Sequence, residues 1–192
     1  LQHDVGAMAE EIGLPLAEAL PGLREMERGI RLLGDSEYGQ ACAANRMAIK
    51  ILGDWPNPHN NLALCLYLDG QVPAAIAESR QVLARRPSNI TAICNLVRFL
   101  AWSGDRQAAE TAWQPNRLRT PPHPLLDSLR LAEAAAAVDD DESVRRLLQP
   151  LADWSSDDVS VTMDYTQRQL FLAIADANLG NPKAAKRRLR DL

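Results

Sequence analysis

Apolar positions along this chain recur with helical spacing. Across 58–69 the residues Leu62, Ala63, Leu66 and Tyr67 fall at i, i+1, i+4 and i+5, one face of a helix. Gly70 follows, and a residue without Cβ enters left-handed backbone and stops a helix at no steric cost. The next stretch, PAAIAESRQVLARR, opens with Pro73 in its first turn and ends before Pro87. Helix, tight turn, helix, proline predicts an αα-hairpin. The pattern then returns 34 residues on: NLALCLYLDG at 61–70 is matched by NLVRFLAWSG at 95–104, followed by RQAAETAW and Pro121.

Further copies flank this pair. Upstream, Leu23, Met26, Ile30, Gly34 and Ala43 fit the pattern, with Gly34 within two residues of a full period before Gly70, and a second helix passing through Met47 and Ile51. Downstream, LLDSLRLAEAAAAV predicts a first helix with Val138 at the glycine position, and its second helix is expected from Glu142 to about Trp154. A last copy carries Leu172, Ala173, Gly180 and Ala185. The longer spacing before it predicts an extended loop in SSDDVSVTM. Pro115 and Pro150 each follow a glutamine and predict second helices that end early or kink, because proline removes a backbone donor and clashes with the preceding turn. The resulting organisation is a capping helix or partial repeat over 1–19, then units at 20–55, 56–89, 90–123, 124–163 and 164–192.

Periods of 20 to 50 residues mark arrays of stacked units. The offsets of Leu62, Ala63, Leu66, Gly70, Ala75, Val82 and Pro87, repeated in Ile93, Leu96, Val97, Leu100, Gly104, Ala109, Trp113 and Pro121, resemble the tetratricopeptide repeat (TPR) family. The resemblance implies an all-α fold, a right-handed α-α superhelix, or α-solenoid, of stacked hairpins whose concave face binds a protein or peptide. Carried over by repeat position, the expected partner-binding residues are Arg28, Asn61, Leu64, Tyr67, Asn95, Arg98 and Trp102, with Arg24, Arg31, Asn60, Leu68 and Thr91 beside them. Asn61 and Asn95 share one position, where an amide can donate to and accept from a peptide backbone at once. The alternative for both is a structural partner within the fold. Trp102 suits either an anchoring contact or packing on its neighbour. A clamp for C-terminal carboxylates is disfavoured: Arg24 and Asn95 fit two of its positions, but Arg28 stands where an asparagine is expected, and the following unit offers Leu125 and Ser128 to Leu129 instead of basic residues.

Composition narrows the field further. The 192 residues are 46% hydrophobic but only 5% aromatic, which favours closely packed helices over sheets. A net charge of −4 supplies no global attraction to nucleic acid. No apolar run approaches the roughly 20 residues that span a membrane, and the start lacks the pattern of a signal peptide. Neither nucleic acid nor membrane is therefore expected as a partner, and a cytoplasmic location is expected. The lack of an initial methionine suggests part of a longer protein. Cys42, Cys65 and Cys94 form no CxxC pair and stand in apolar helical patterns, so no metal or disulfide framework is expected.

Catalysis has little support. His59 and His123 lie beside prolines at unit junctions, and no nucleophile, metal or phosphate-loop motif occurs. Among Asp139, Asp140 and Asp141, one is expected to cap the next helix. The basic segment PKAAKRRLR reads first as a solvated helix whose positive end suits the dipole. The chain is thus expected to be a non-enzymatic scaffold without cofactors. The alternatives are a structural spacer or self-association domain, or an accessory domain of a larger enzyme.

Overall fold

The computed structural model describes residues 5–123, 125–152, 165–190 and 192. Within them the chain forms α1 (Val5–Ile12), α2 (Leu16–Gly34), α3 (Tyr38–Leu52), α4 (Pro56–Leu68), α5 (Val72–Arg85), α6 (Ile90–Trp102), α7 (Arg106–Trp113), α8 (Leu126–Ala137), α9 (Asp141–Leu148), α10 (Tyr165–Asn178) and α11 (Pro182–Arg190), with no strand among the described residues. The expected loop in SSDDVSVTM lies outside them. Two compact units divide the chain, Leu1–Asn95 and Leu96–Leu192, with the division falling inside α6.

One turn is repeated five times, and it sets the register. In each copy a residue with left-handed backbone follows a first helix: Ser36, Gly70, Gly104, Asp139 and Gly180. Each N–H bonds the carbonyl three residues back, and the next N–H bonds the carbonyl five residues back, as in Gly70 N to Tyr67 O (3.0 Å) and Gln71 N to Leu66 O (2.8 Å). This pairing satisfies carbonyls that the end of a helix leaves open. The spacing from Ser36 to Gly70 is the same as from Gly70 to Gly104.

That register corrects the sequence reading at both flanks. Gly34 is the last residue of α2, without positive φ, and Ser36 makes the turn. The position expected of Ala43 belongs to Ala41, fully buried, while Ala43 is exposed. Val138 is likewise not the turn residue; Asp139, with φ 56°, is. Serine and aspartate hide the repeat because they take up a left-handed backbone for which glycine is the obvious signal: aspartate tolerates it, whereas Ser36 holds it at a cost.

In the first unit, α1 packs against α2, and Ala9 joins Ala19, Leu23, Met26, Ala48, Leu52 and Trp55 in one apolar cluster. Helices α2 and α3 approach closely at two glycines: a Cβ on Gly22 would stand 2.5 Å from the Leu52 side chain, and one on Gly29 would stand 2.5 Å from Asn45 Nδ2. Gly29 holds the same repeat position as the buried Ala63, which explains why a small residue recurs there.

In the second unit, α8 packs on α9 and α9 on α10. The second helices α7 and α9 stop at Trp113 and Leu148 and pass into 3-10 turns, Gln114–Asn116 and Gln149–Leu151. The two Gln-Pro steps therefore end these helices without kinking them, and α9 stops short of the expected end near Trp154. Asp140 caps α9, accepting from the N–H and hydroxyl of Ser143 (3.3 and 2.7 Å), from Trp113 Nε1 (2.8 Å) and from the Arg117 guanidinium (3.1 Å).

Candidate functional site

Three first helices, α6, α8 and α10, bring one face together in the second unit. Their side chains line a groove of about 370 Å³: Arg98 and Trp102 from α6, Glu133, Ala136 and Ala137 from α8, and Gln167 and Phe171 from α10. The register accounts for the set. Arg98 and Glu133 are equivalent residues of successive hairpins, each six before its turn residue, and Trp102 and Ala137 are equivalent two before it.

Polar anchoring and apolar surface lie side by side. The Arg98 guanidinium pairs with Glu133, both side chains largely shielded. It also lies 5.4 Å from the centre of the Trp102 ring, within range of a cation–π contact worth about 0.5–1 kcal/mol. Trp102 nonetheless keeps 55% of its surface exposed, whereas Trp55 and Trp113 are buried. Burial pushes the Glu133 carboxyl above the usual range, against the lowering charges of Arg98 and Arg130. The small Ala136 and Ala137 line the groove together with Trp102 and Phe171. Such a groove holds one fixed ion pair and an exposed aromatic face. It suits an apolar side chain flanked by hydrogen-bonding backbone.

Of the residues expected from sequence, Arg98 and Trp102 lie in this groove. Arg28, Asn61, Leu64, Tyr67 and Asn95 belong to the first unit. Arg28 is exposed and pairs with Glu25 one turn away (3.3 Å). Asn61, Leu64 and Tyr67 are half-buried on α4. Asn95 is 3% exposed and donates to the Asn60 carbonyl (3.3 Å), a tie between α6 and α4. The register also places Arg130, not Ser128 or Leu129, at the Asn95 position of the next hairpin; it pairs with Asp127 (3.5 Å). Glu133, Ala136, Ala137, Gln167 and Phe171 were not anticipated. Counting back from Asp139 and Gly180 would have found them.

His59, His123 and the three cysteines have structural surroundings. His59 is not a junction residue: it sits inside α4, 5% exposed, with Nδ1 2.5 Å from Glu78 of α5. His123 accepts from Leu126 N at the start of α8. Cys42, Cys65 and Cys94 are buried free thiols. Burial pushes Cys65 up to about 12 and raises Cys42 as well. Thiols held protonated in this way are poor nucleophiles. Among the described residues no group of three or more His, Cys, Asp and Glu is placed to hold a metal ion. No described helix is long and apolar enough to cross a membrane.

Within the basic C-terminal segment, Arg188 is not solvated. Its guanidinium bonds Asp176 (2.8 Å), Gln169 (3.1 Å) and Gln149 (2.6 Å), tying α11 to α10 and to the turn after α9.

No protein-family model matches the chain, and no curated protein does. Solved structures do. A MamA double mutant, RS-1 ArsTM, superposes with a TM-score of 0.56 at 14% identity, covering 88% of this chain and 91% of its own. MamA from Desulfovibrio magneticus RS-1, residues 41 to the end, gives 0.54 at 14%, covering 89% and 92%. Nearly identical TPR-like repeats described as kinesin light chain, from Podosopora anserina, give 0.59 at 20%, covering 89% and 93%. The likeness shows the fold: an all-α solenoid of stacked helical hairpins of the tetratricopeptide type.

Proposed function

We propose that the chain is a protein-interaction scaffold that binds an extended peptide segment of a partner along the face of its first helices, with the groove on α6, α8 and α10 as the principal site. The observation that carries this reading is Trp102. A tryptophan with more than half its surface bare, held by a cation–π contact beside a shielded ion pair, is an anchor already paid for in conformational entropy. Helical repeat arrays use extended surfaces of this kind for binding. The TPR-like neighbours support the reading at the level of fold.

Nothing in the groove calls for catalysis. Its one titratable acid is held by Arg98, and its other members are an amide, two alanines and two aromatic rings.

The test is selection of peptides from a displayed random library on the purified chain, followed by titration of the selected peptide against the native chain and against Trp102→Ala. Loss of a large apolar anchor should weaken binding by at least about tenfold, equivalent to 1.4 kcal/mol. Circular dichroism of the variant should be unchanged. A library that yields no binder, with a chain that instead self-associates in sedimentation velocity, would favour the spacer or self-association role.

A further inference from the structure

The walls of the groove at Trp102 are helices, whose backbone groups bond one another within α6, α8 and α10. Side chains must therefore meet the polar groups of a ligand. Among those side chains donors predominate: Arg98 carries five N–H groups and no acceptor, the Trp102 indole only donates, and Gln167 does both. The strong acceptor of the set, the Glu133 carboxylate, is paired with Arg98. An ordinary extended peptide brings an N–H at every residue, and those turned toward this wall would be buried short of acceptors. A segment rich in proline brings carbonyls and few N–H groups.

The apolar lining and the charge agree with this. The groove has two aromatic residues, Trp102 on α6 and Phe171 on α10, and the small Ala136 and Ala137 on α8. Arg98 lies 5.4 Å from the centre of the Trp102 ring, yet Trp102 stays 55% exposed, enough for an uncharged group to lie against it as well. Aromatic-lined grooves take polyproline II segments, whose conformation is fixed before binding. The formal charges of the groove, on Arg98 and Glu133, cancel. A neutral ligand matches that balance, whereas a charged one would set an unpaired charge beside a shielded ion pair.

We propose that the groove of α6, α8 and α10 binds an uncharged, proline-rich segment of a partner protein in the polyproline II conformation, with its rings against Trp102 and Phe171 and its carbonyls accepting from the groove's N–H groups, those of Gln167 among them. This names the ligand of the peptide site proposed above and rests on that reading. Such a segment loses little conformational freedom on docking, because proline has already removed it from the free chain.

The probe is a fluorescein-labelled, end-capped decapeptide of proline with leucine at every third position, which places the leucines on one edge of a polyproline II helix. Beside it stands the same peptide with alanine in place of each proline. Fluorescence anisotropy should show saturable binding of the proline peptide, little affected by salt, with the alanine peptide at least about tenfold weaker. Trp102→Ala should weaken the proline peptide at least about tenfold, and Gln167→Met, which removes the donors at similar length, should weaken it several-fold. Both residues are exposed, so the variants should keep the helical spectrum of the native chain. Equal binding of the two peptides, or binding of the proline peptide that ignores Trp102→Ala, would overturn the proposal. Library-selected peptides that lack proline and still depend on Trp102 would overturn it too, while leaving the groove a peptide site. If neither the library nor the proline peptide yields binding, both readings fall.

Discussion

Gly34→Ala separates the register of the structure from the one that glycine spacing suggests. Were Gly34 the turn residue, an alanine there would be forced into left-handed backbone and lose about 1–2 kcal/mol. In the structure Gly34 is helical, and a Cβ built on it meets nothing within 4 Å. Alanine at a compatible helical position instead stabilises by about 0.4–1 kcal/mol, chiefly by restricting the unfolded chain. For a domain of this size that corresponds to a melting temperature about 1–4 °C higher. The reciprocal change, Ser36→Gly, relieves the positive φ of 61° and should also stabilise, whereas Gly70→Ala should cost about 1 kcal/mol or more. Thermal unfolding of the three variants, followed by circular dichroism at 222 nm, reads all three signs. A lower melting temperature for Gly34→Ala, with Ser36→Gly neutral or harmful, would refute the register.

Other substitutions probe the packing and the electrostatics. Gly29→Val should destabilise by roughly 1–3 kcal/mol in chemical denaturation, because the Cβ and its methyl groups collide with the buried Asn45. Asp140→Ala removes a helix cap worth about 1 kcal/mol and strands the buried Trp113 N–H at a further cost of about 1–3 kcal/mol, a sum readable in the same experiment. Burial pushes the Asp140 carboxyl up, but hydrogen bonds from Trp113 and Ser143 and the charge of Arg117 outweigh it and hold the group below the usual range. Its contribution is therefore complete above the unfolded value near 3.9 and is lost as pH falls through the depressed folded value. Glu133 has the opposite sign: its raised carboxyl takes up a proton before the unfolded chain does, so acidification from that raised value toward about 4.3 adds stability. Carboxyl NMR titration should show Glu133 above the usual range in the native chain and higher still in Arg98→Met.

Much of the fold was legible because stacking hairpins impose a repeated set of demands. A small residue was required where helices approach, an apolar stripe on each first helix, and glycine at the turn. Where all three coincided, around Gly70 and Gly104, the helices lie within two residues of the expected limits. Where Ser36 and Asp139 replaced glycine, the register slipped by two residues and by one, and the slip carried through to the site. Arg98 and Trp102, expected from sequence, line the candidate groove because they stand in the well-marked repeat. Glu133 was missed although it is the equivalent of Arg98, and Phe171 lies beyond the irregular spacing. Asn95 shows a different limit: spacing shows which helix face a residue belongs to but not how deeply neighbouring helices bury it. The amide is occupied by the Asn60 carbonyl.

The most direct test of the proposed binding groove is a heteronuclear NMR titration of the isotopically labelled chain with a library-selected peptide. The account predicts that the largest shifts fall on the Trp102 indole N–H, Ala136, Ala137, Gln167 and Phe171. Asn95 and Arg28 should move little. Shifts concentrated on α2 and α4 of the first unit, with the Trp102 indole unmoved, would contradict it.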